Sequence, residues 1–107
     1  MMHIYISMNS LLWFTFHVIM DELKFVANFY IFRCGPCRYV APEFEKLAEL
    51  NPNVVFIKVD VDDASEIAAK CGIRAMPTFH YYKGGEKVAE VVGADVDKIK
   101  ALVATHA

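Results

Sequence analysis

The sequence has no surplus of basic charge. Lysine and arginine number 11 against 13 aspartates and glutamates, a net charge of −2. That balance offers neither the electrostatic footprint of a nucleic-acid binder nor a polybasic membrane patch. Cysteine is scarce too. Three cysteines cannot all pair within one chain, which argues against a fold held by a disulfide framework and for an intracellular protein with a reactive or metal-binding pair. Repeats, linkers and low-complexity stretches are missing. With 56% apolar and 22% charged residues the chain is not disordered. Its 107 residues suit a single domain, 1–107, with one core.

Charge is also missing locally, since residues 1–20 contain no Asp, Glu, Lys or Arg. The 17 uncharged residues from Ile4 to Met20 stop short of the roughly 20 mostly apolar residues of a membrane helix. Ser7, Asn9, Ser10, Thr15 and His17 dilute them further. A signal peptide fits no better, because no Lys or Arg precedes the run and Met20-Asp21-Glu22 is a poor cleavage site. The expectation is a strand and a helix inside the fold of a cytoplasmic protein. Even so, Leu11, Leu12, Trp13, Phe14, Phe16, Val18, Ile19 and Met20 cover most of a helix's circumference. That pattern points to self-association through residues 11–20, with a membrane-associated or exported form as the alternative.

What is present alternates between strand and helix signals. His3 to Ser7 reads as a weak strand and Ser10 to Met20 as a helix. Lys24 to Tyr30 is a continuous apolar run typical of a buried strand. Val40, Phe44, Leu47 and Leu50 mark one face of the next helix, which contains Pro42 and should kink there. Val54 to Val61 is a strand. Asp63 and Glu66 resemble a capping box for a helix with Ala64, Ile67, Ala68 and Cys71 inward, and Gly72 should end it. Thr78 to Tyr82 and Lys87 to Val92 flank Lys83-Gly84-Gly85-Glu86, a hairpin signal. Asp95 should cap a last helix with Val96, Ile99, Leu102 and Val103 inward. The order β-α-β-α-β-α-β-β-α implies an α/β fold, a largely parallel sheet covered on both faces with an antiparallel hairpin at one edge.

The chemistry lies at Cys34-Gly35-Pro36-Cys37. Such a pair can bind a metal or open and close a disulfide. A metal site needs two more ligands, and Cys71, His3, His17, His80 and His106 form no second closely spaced pair. The pair follows a buried strand and opens a helix, so the first sulfur meets unpaired N–H groups that stabilise a thiolate, the attacking species in disulfide exchange. Gly35 permits close approach, and Pro36 suits a first helical turn. The second cysteine turns inward, within reach of a mixed disulfide formed by the first. Cys71 reads as packing for its helix.

The motif resembles the active site of the thioredoxin family. Arg74-Ala75-Met76-Pro77-Thr78-Phe79 is similar to that family's cis-proline loop. Val92-Gly93-Ala94 is similar to the third piece of its substrate groove, and Phe56 to Asp62 to its middle strand with a buried lysine, Lys58. The resemblance is close over 34–107 and weaker over 1–33. It implies the thioredoxin fold, with a central mixed five-stranded sheet, and a protein-disulfide reductase with no bound cofactor. It also implies thioredoxin reductase as the partner that passes on electrons from NADPH, and disulfide-containing proteins as substrates. By the same resemblance Cys34 is the nucleophile and Cys37 the resolving thiol. Pro77 is cis, and the backbone of Met76 can pair with an extended substrate. Arg33, Ala75, Met76 and Gly93 line the groove.

Two positions depart from that pattern. Asn28 stands where the family usually has an aspartate, six residues before the first cysteine, so a proton-accepting carboxylate is replaced by an amide facing Lys58. Arg33 stands where the family usually has tryptophan. A cation there favours a Cys34 thiolate but removes a flat apolar contact. The alternative to a working reductase is therefore an interaction module of the same fold with weak redox turnover.

Overall fold

The computed structural model describes residues 3–6, 13, 15 and 24–107. Strands β1 (His3–Ile6), β2 (Lys24–Tyr30), β3 (Val55–Asp60), β4 (Thr78–Lys83) and β5 (Glu86–Val92) form one sheet in the order β1-β3-β2-β4-β5. The pairs β1–β3 and β2–β3 are parallel, and β2–β4 and β4–β5 are antiparallel. Helices α1 (Gly35–Leu50), α2 (Ser65–Lys70) and α3 (Val96–His106) complete the described elements. Trp13 and Thr15 are also helical. The expected helix over 10–20 otherwise lies outside the described residues.

Side chains alternate across each strand, and this splits the core in two. Val26 on β2 with Phe79 and Tyr81 on β4 pack against Val40, Phe44 and Leu47 of α1 and against Ile99, Leu102 and Val103 of α3. Phe25, Ala27 and Phe29 face the other way, with Ile57, Val59, Ala64, Ile67 and Tyr82. Trp13 belongs to this second cluster. Its ring centroid is 6.0 Å from that of Phe29 and 5.9 Å from that of Tyr82. The apolar surface expected over residues 11–20 thus loses its largest side chain to the protein's own core.

The helix ends show which local signals were decisive. Asp95 caps α3 by accepting the Lys98 N–H at 3.1 Å. Gly72, at φ +70, ends α2 as expected. Its own N–H bonds Ala69 O and the next N–H, of Ile73, bonds Ala68 O, the paired pattern of a Schellman motif. The capping box at Asp63 does not form, and α2 begins after Ala64 with no side-chain cap. The chain leaving β3 turns at Asp60, whose carboxylate takes the Asp62 N–H at 2.9 Å and whose carbonyl takes the N–H groups of Asp63 and Ala64. Asp63 is spent inside that turn, too early to cap. Leu50 is exposed instead of buried, because two successive steps of three residues, Phe44 to Leu47 to Leu50, fall about 120° short of two full turns and carry it off the face set by Val40, Phe44 and Leu47. Pro42 lies within α1, which continues on either side of it. Gly84 and Gly85, both at positive φ, close the β4–β5 hairpin in two residues.

A buried polar chain crosses the second cluster. The His80 ring is buried in β4, with Nδ1 3.2 Å from the Tyr82 hydroxyl, which lies 4.0 Å from Cys71 Sγ. His80 Nε2 lies 2.8 Å from Glu90 Oε1, a short contact poorly aligned for a straight hydrogen bond. The Phe29 ring packs edge-on at 5.1 Å. Burial and then Lys87 hold the imidazole below its ordinary value of 6.5, against an opposing pull from Glu90. Burial raises the Tyr82 and Cys71 groups, while Glu90 is held low, chiefly by Lys87. Neutral His80 can therefore accept from Tyr82 and direct Nε2–H toward Glu90. The unfolded chain takes up the His80 proton first, so stability falls as pH drops below 6.5 toward the lower folded value. Urea midpoints between about pH 7.5 and about pH 5 should decline. In His80→Gln the part of that decline above the carboxylate range should vanish. An unchanged slope would show that His80 does not titrate there.

Candidate active site

The site forms where β2 ends and α1 begins, at the carboxyl end of a central strand. Cys34 is the N-cap of α1, and its Sγ accepts the Cys37 N–H at 3.1 Å. Pro36 sits in the first turn, where a missing N–H costs little, and no acidic side chain in that turn offsets the positive end of the helix. Cys34 and Cys37 are joined as a disulfide, with their Cα atoms 5.2 Å apart. Cys34 is half-buried and Cys37 is only 4% exposed. One sulfur is thus reachable and its partner is covered. A Cβ added at Gly35 would meet nothing among the described residues within 4 Å, so packing against them does not demand glycine there.

The other expected residues converge on this pair. The Met76–Pro77 bond is cis and Pro77 is buried. Cys34 Sγ lies 3.9 Å from the carbonyl oxygen of Met76. The loop is braced by Thr78 Oγ1, which donates to Ala75 O at 2.6 Å, and by the Gly93 N–H, which donates to Pro77 O at 2.8 Å. That second bond fastens Gly93, at φ +99, to the cis-proline loop. Ala75 is exposed and Met76 half-buried.

Beneath the pair, Asn28, Tyr30, Cys37, Arg38, Ala41 and Lys58 help line a cavity of about 140 Å³. Asn28 and Lys58 are register partners on β2 and β3. Asn28 is 1% exposed, and its Oδ1 has no hydrogen-bond partner among the described residues. Lys58 is half-buried, not the buried lysine that the resemblance implied. Its four-carbon stem lets Nζ reach 4.7 Å from the Tyr30 ring centroid, so the ammonium uses an aromatic face and partial exposure.

Sequence reasoning missed two residues. Cys34 N–H bonds Ile31 O at 3.0 Å, closing a turn that leaves Phe32 73% exposed beside exposed Arg33. Arg38 Nε donates to Phe32 O at 3.2 Å, with its guanidinium 5.8 Å from the Phe32 ring centroid. An exposed aromatic side chain thus stands at position 32, next to the arginine at position 33. An aromatic placed just past the end of β2, where no core remains to bury it, was the available signal. Among the described residues no group of three or more His, Cys, Asp or Glu could hold a metal ion.

Comparison with known proteins agrees with this geometry. Residues 9–105 match the family model described as Thioredoxin. The chain is 44% identical over 86 residues to Thioredoxin-1 of Schizosaccharomyces pombe, covering 80% of this chain and 84% of the relative. It is 52% identical over 88 residues to a Thioredoxin H-type of Chlamydomonas reinhardtii, covering 81% and 78%. The crystal structure of reduced Schistosoma mansoni thioredoxin pre-protein superposes with a TM-score of 0.92 at 34% identity, over 100% of both chains. With its mixed sheet, flanking helices and paired Cys34 and Cys37, the chain belongs to the thioredoxin family and is a thiol–disulfide oxidoreductase.

Proposed function

We propose that Cys34 attacks protein disulfides and that Cys37 releases the product. The Cys34 thiolate displaces one substrate sulfur, forming a Cys34–substrate disulfide, and the departing thiolate takes a proton from water. Cys37 loses its proton and attacks Cys34 Sγ. The Cys34–Cys37 disulfide forms, the second substrate thiolate leaves, and two electrons have passed to the substrate. The observation that carries this order is the difference in exposure, with Cys34 at the helix N-terminus and half-buried while Cys37 is covered.

Pro77 and Met76 hold one wall of the groove, where the Met76 backbone can pair with an extended substrate strand, and Ala75, Gly93 and Arg33 line its edges. Gly35 keeps the approach open and Pro36 sets the first turn. Asn28 can accept a hydrogen bond from a reduced Cys37 thiol across the cavity but cannot take its proton, so deprotonation falls to water or to the thiolate leaving from Cys34. Lys58 places a positive charge near the same cavity. Thioredoxin reductase, drawing on NADPH, would return the disulfide to the dithiol, and the working place would be the cytoplasm. Among the described residues no helix is long and apolar enough to cross a membrane. Self-association through 11–20 would rest on residues other than the buried Trp13.

The test is reduction of insulin by dithiothreitol with and without the protein. Acceleration supports a working reductase. No acceleration favours the interaction module with weak turnover.

A further inference from the structure

Three arginines lie on the segments that carry or adjoin Cys34. Arg33 immediately precedes Cys34, and Arg38 lies one turn into α1, its backbone N–H bonded to Cys34 O at 3.2 Å. Arg74 is on the loop that brings Met76 O to 3.9 Å from Cys34 Sγ. All three are exposed. Among the described residues none is paired with a carboxylate, whereas Glu43, Glu90 and Asp95 each meet a lysine. Asp60 and Asp63 lie near Tyr30, raising its hydroxyl pKa after burial, and Asp60 Oδ1 is occupied by the Asp62 N–H.

Arg38 is the organised member. Its Nε is fixed on Phe32 O and its plane lies near the Phe32 ring, so the guanidinium is held in place while its remaining donors stay available. A cation fixed on an exposed aromatic, with a second arginine next to the nucleophile in the chain, suits a carboxylate carried close to the cysteine under attack.

We propose that Arg33 and Arg38, presented with Phe32, form a specificity rim that selects substrates with acidic residues flanking the disulfide cysteine. The proposal rests on the reading that Cys34 attacks first. Charges at a rim act mainly on encounter rate and are screened by salt, which makes the effect measurable.

The experiment uses the full chain, reduced, with three synthetic peptide disulfides that differ only in having Glu, Gln or Lys on both sides of the cysteine. The expected kcat/KM for the Glu peptide exceeds that for the Lys peptide by about tenfold at low ionic strength, falling to about twofold or less at about 0.5 M salt. In Arg33→Gln/Arg38→Gln that ratio should drop toward one, and in Arg33→Lys/Arg38→Lys most of it should remain. A ratio near one for the wild-type chain, or one unchanged in the Gln variant, overturns the proposal. So does a Lys variant that loses as much as the Gln variant. Failure to reduce any of the three peptides instead overturns the reductase reading beneath it.

Discussion

Cys34→Ser should abolish accelerated insulin reduction, a loss of at least about a thousandfold of the kind seen when an enzyme's nucleophile is removed. Cys37→Ser should also stop turnover, but in a different way. With Cys34 intact and its resolving partner gone, the first exchange still proceeds and the mixed disulfide accumulates. Non-reducing mass analysis after incubation with a disulfide substrate should find a covalent adduct on Cys37→Ser and none on Cys34→Ser. The asymmetry follows from position. Cys34 is the half-buried N-cap, facing the groove beside Met76 O, and Cys37 is covered one turn later. Adducts forming equally on both variants, or only on Cys34→Ser, would reverse the assigned roles.

The second large effect concerns stability. Trp13→Ala should cost about 3–5 kcal/mol, the range for emptying a buried aromatic site. The side chain is 7% exposed and packs between Phe29 and Tyr82, and Tyr82 is stacked on Phe25 at 4.6 Å. A void there loosens the cluster that also surrounds His80. Thr15→Ala, at an exposed helical position two residues along the chain, should change stability by less than about 0.5 kcal/mol. Urea unfolding followed by far-ultraviolet circular dichroism gives both numbers, since this readout survives loss of the chain's single tryptophan. A Trp13→Ala cost below about 1 kcal/mol would mean the ring does not fill that site.

Legibility in the sequence followed locality. The dithiol, its helix, the Gly84-Gly85 turn, the Asp95 cap and the Gly72 stop are each specified by a few adjacent residues, and all were readable. Asp63 failed because its backbone is held in a turn governed by Asp60, which sets it one position too early for the helix that begins after Ala64. Leu50 failed because two successive three-residue steps drift off a helical face. Lys58 reaches Tyr30 through a side chain whose course no pattern predicts. Cross-strand relations were invisible for a deeper reason. His80 meets Glu90 only because β4 and β5 pair in one register, and Asn28 meets Lys58 only through the β2–β3 register. The all-round apolar run that held Trp13 could not say which side chain entered the core.

The most direct measurement is the rate at which each thiol of the reduced chain is alkylated by iodoacetamide at about pH 7, mapped by peptide mass. A helix N-terminus that ionises an open sulfur above a covered one predicts that Cys34 reacts at least about tenfold faster than Cys37. Cys71, its thiol pushed up by burial, should lag as well. Equal, slow labelling of Cys34 and Cys37 would contradict the account.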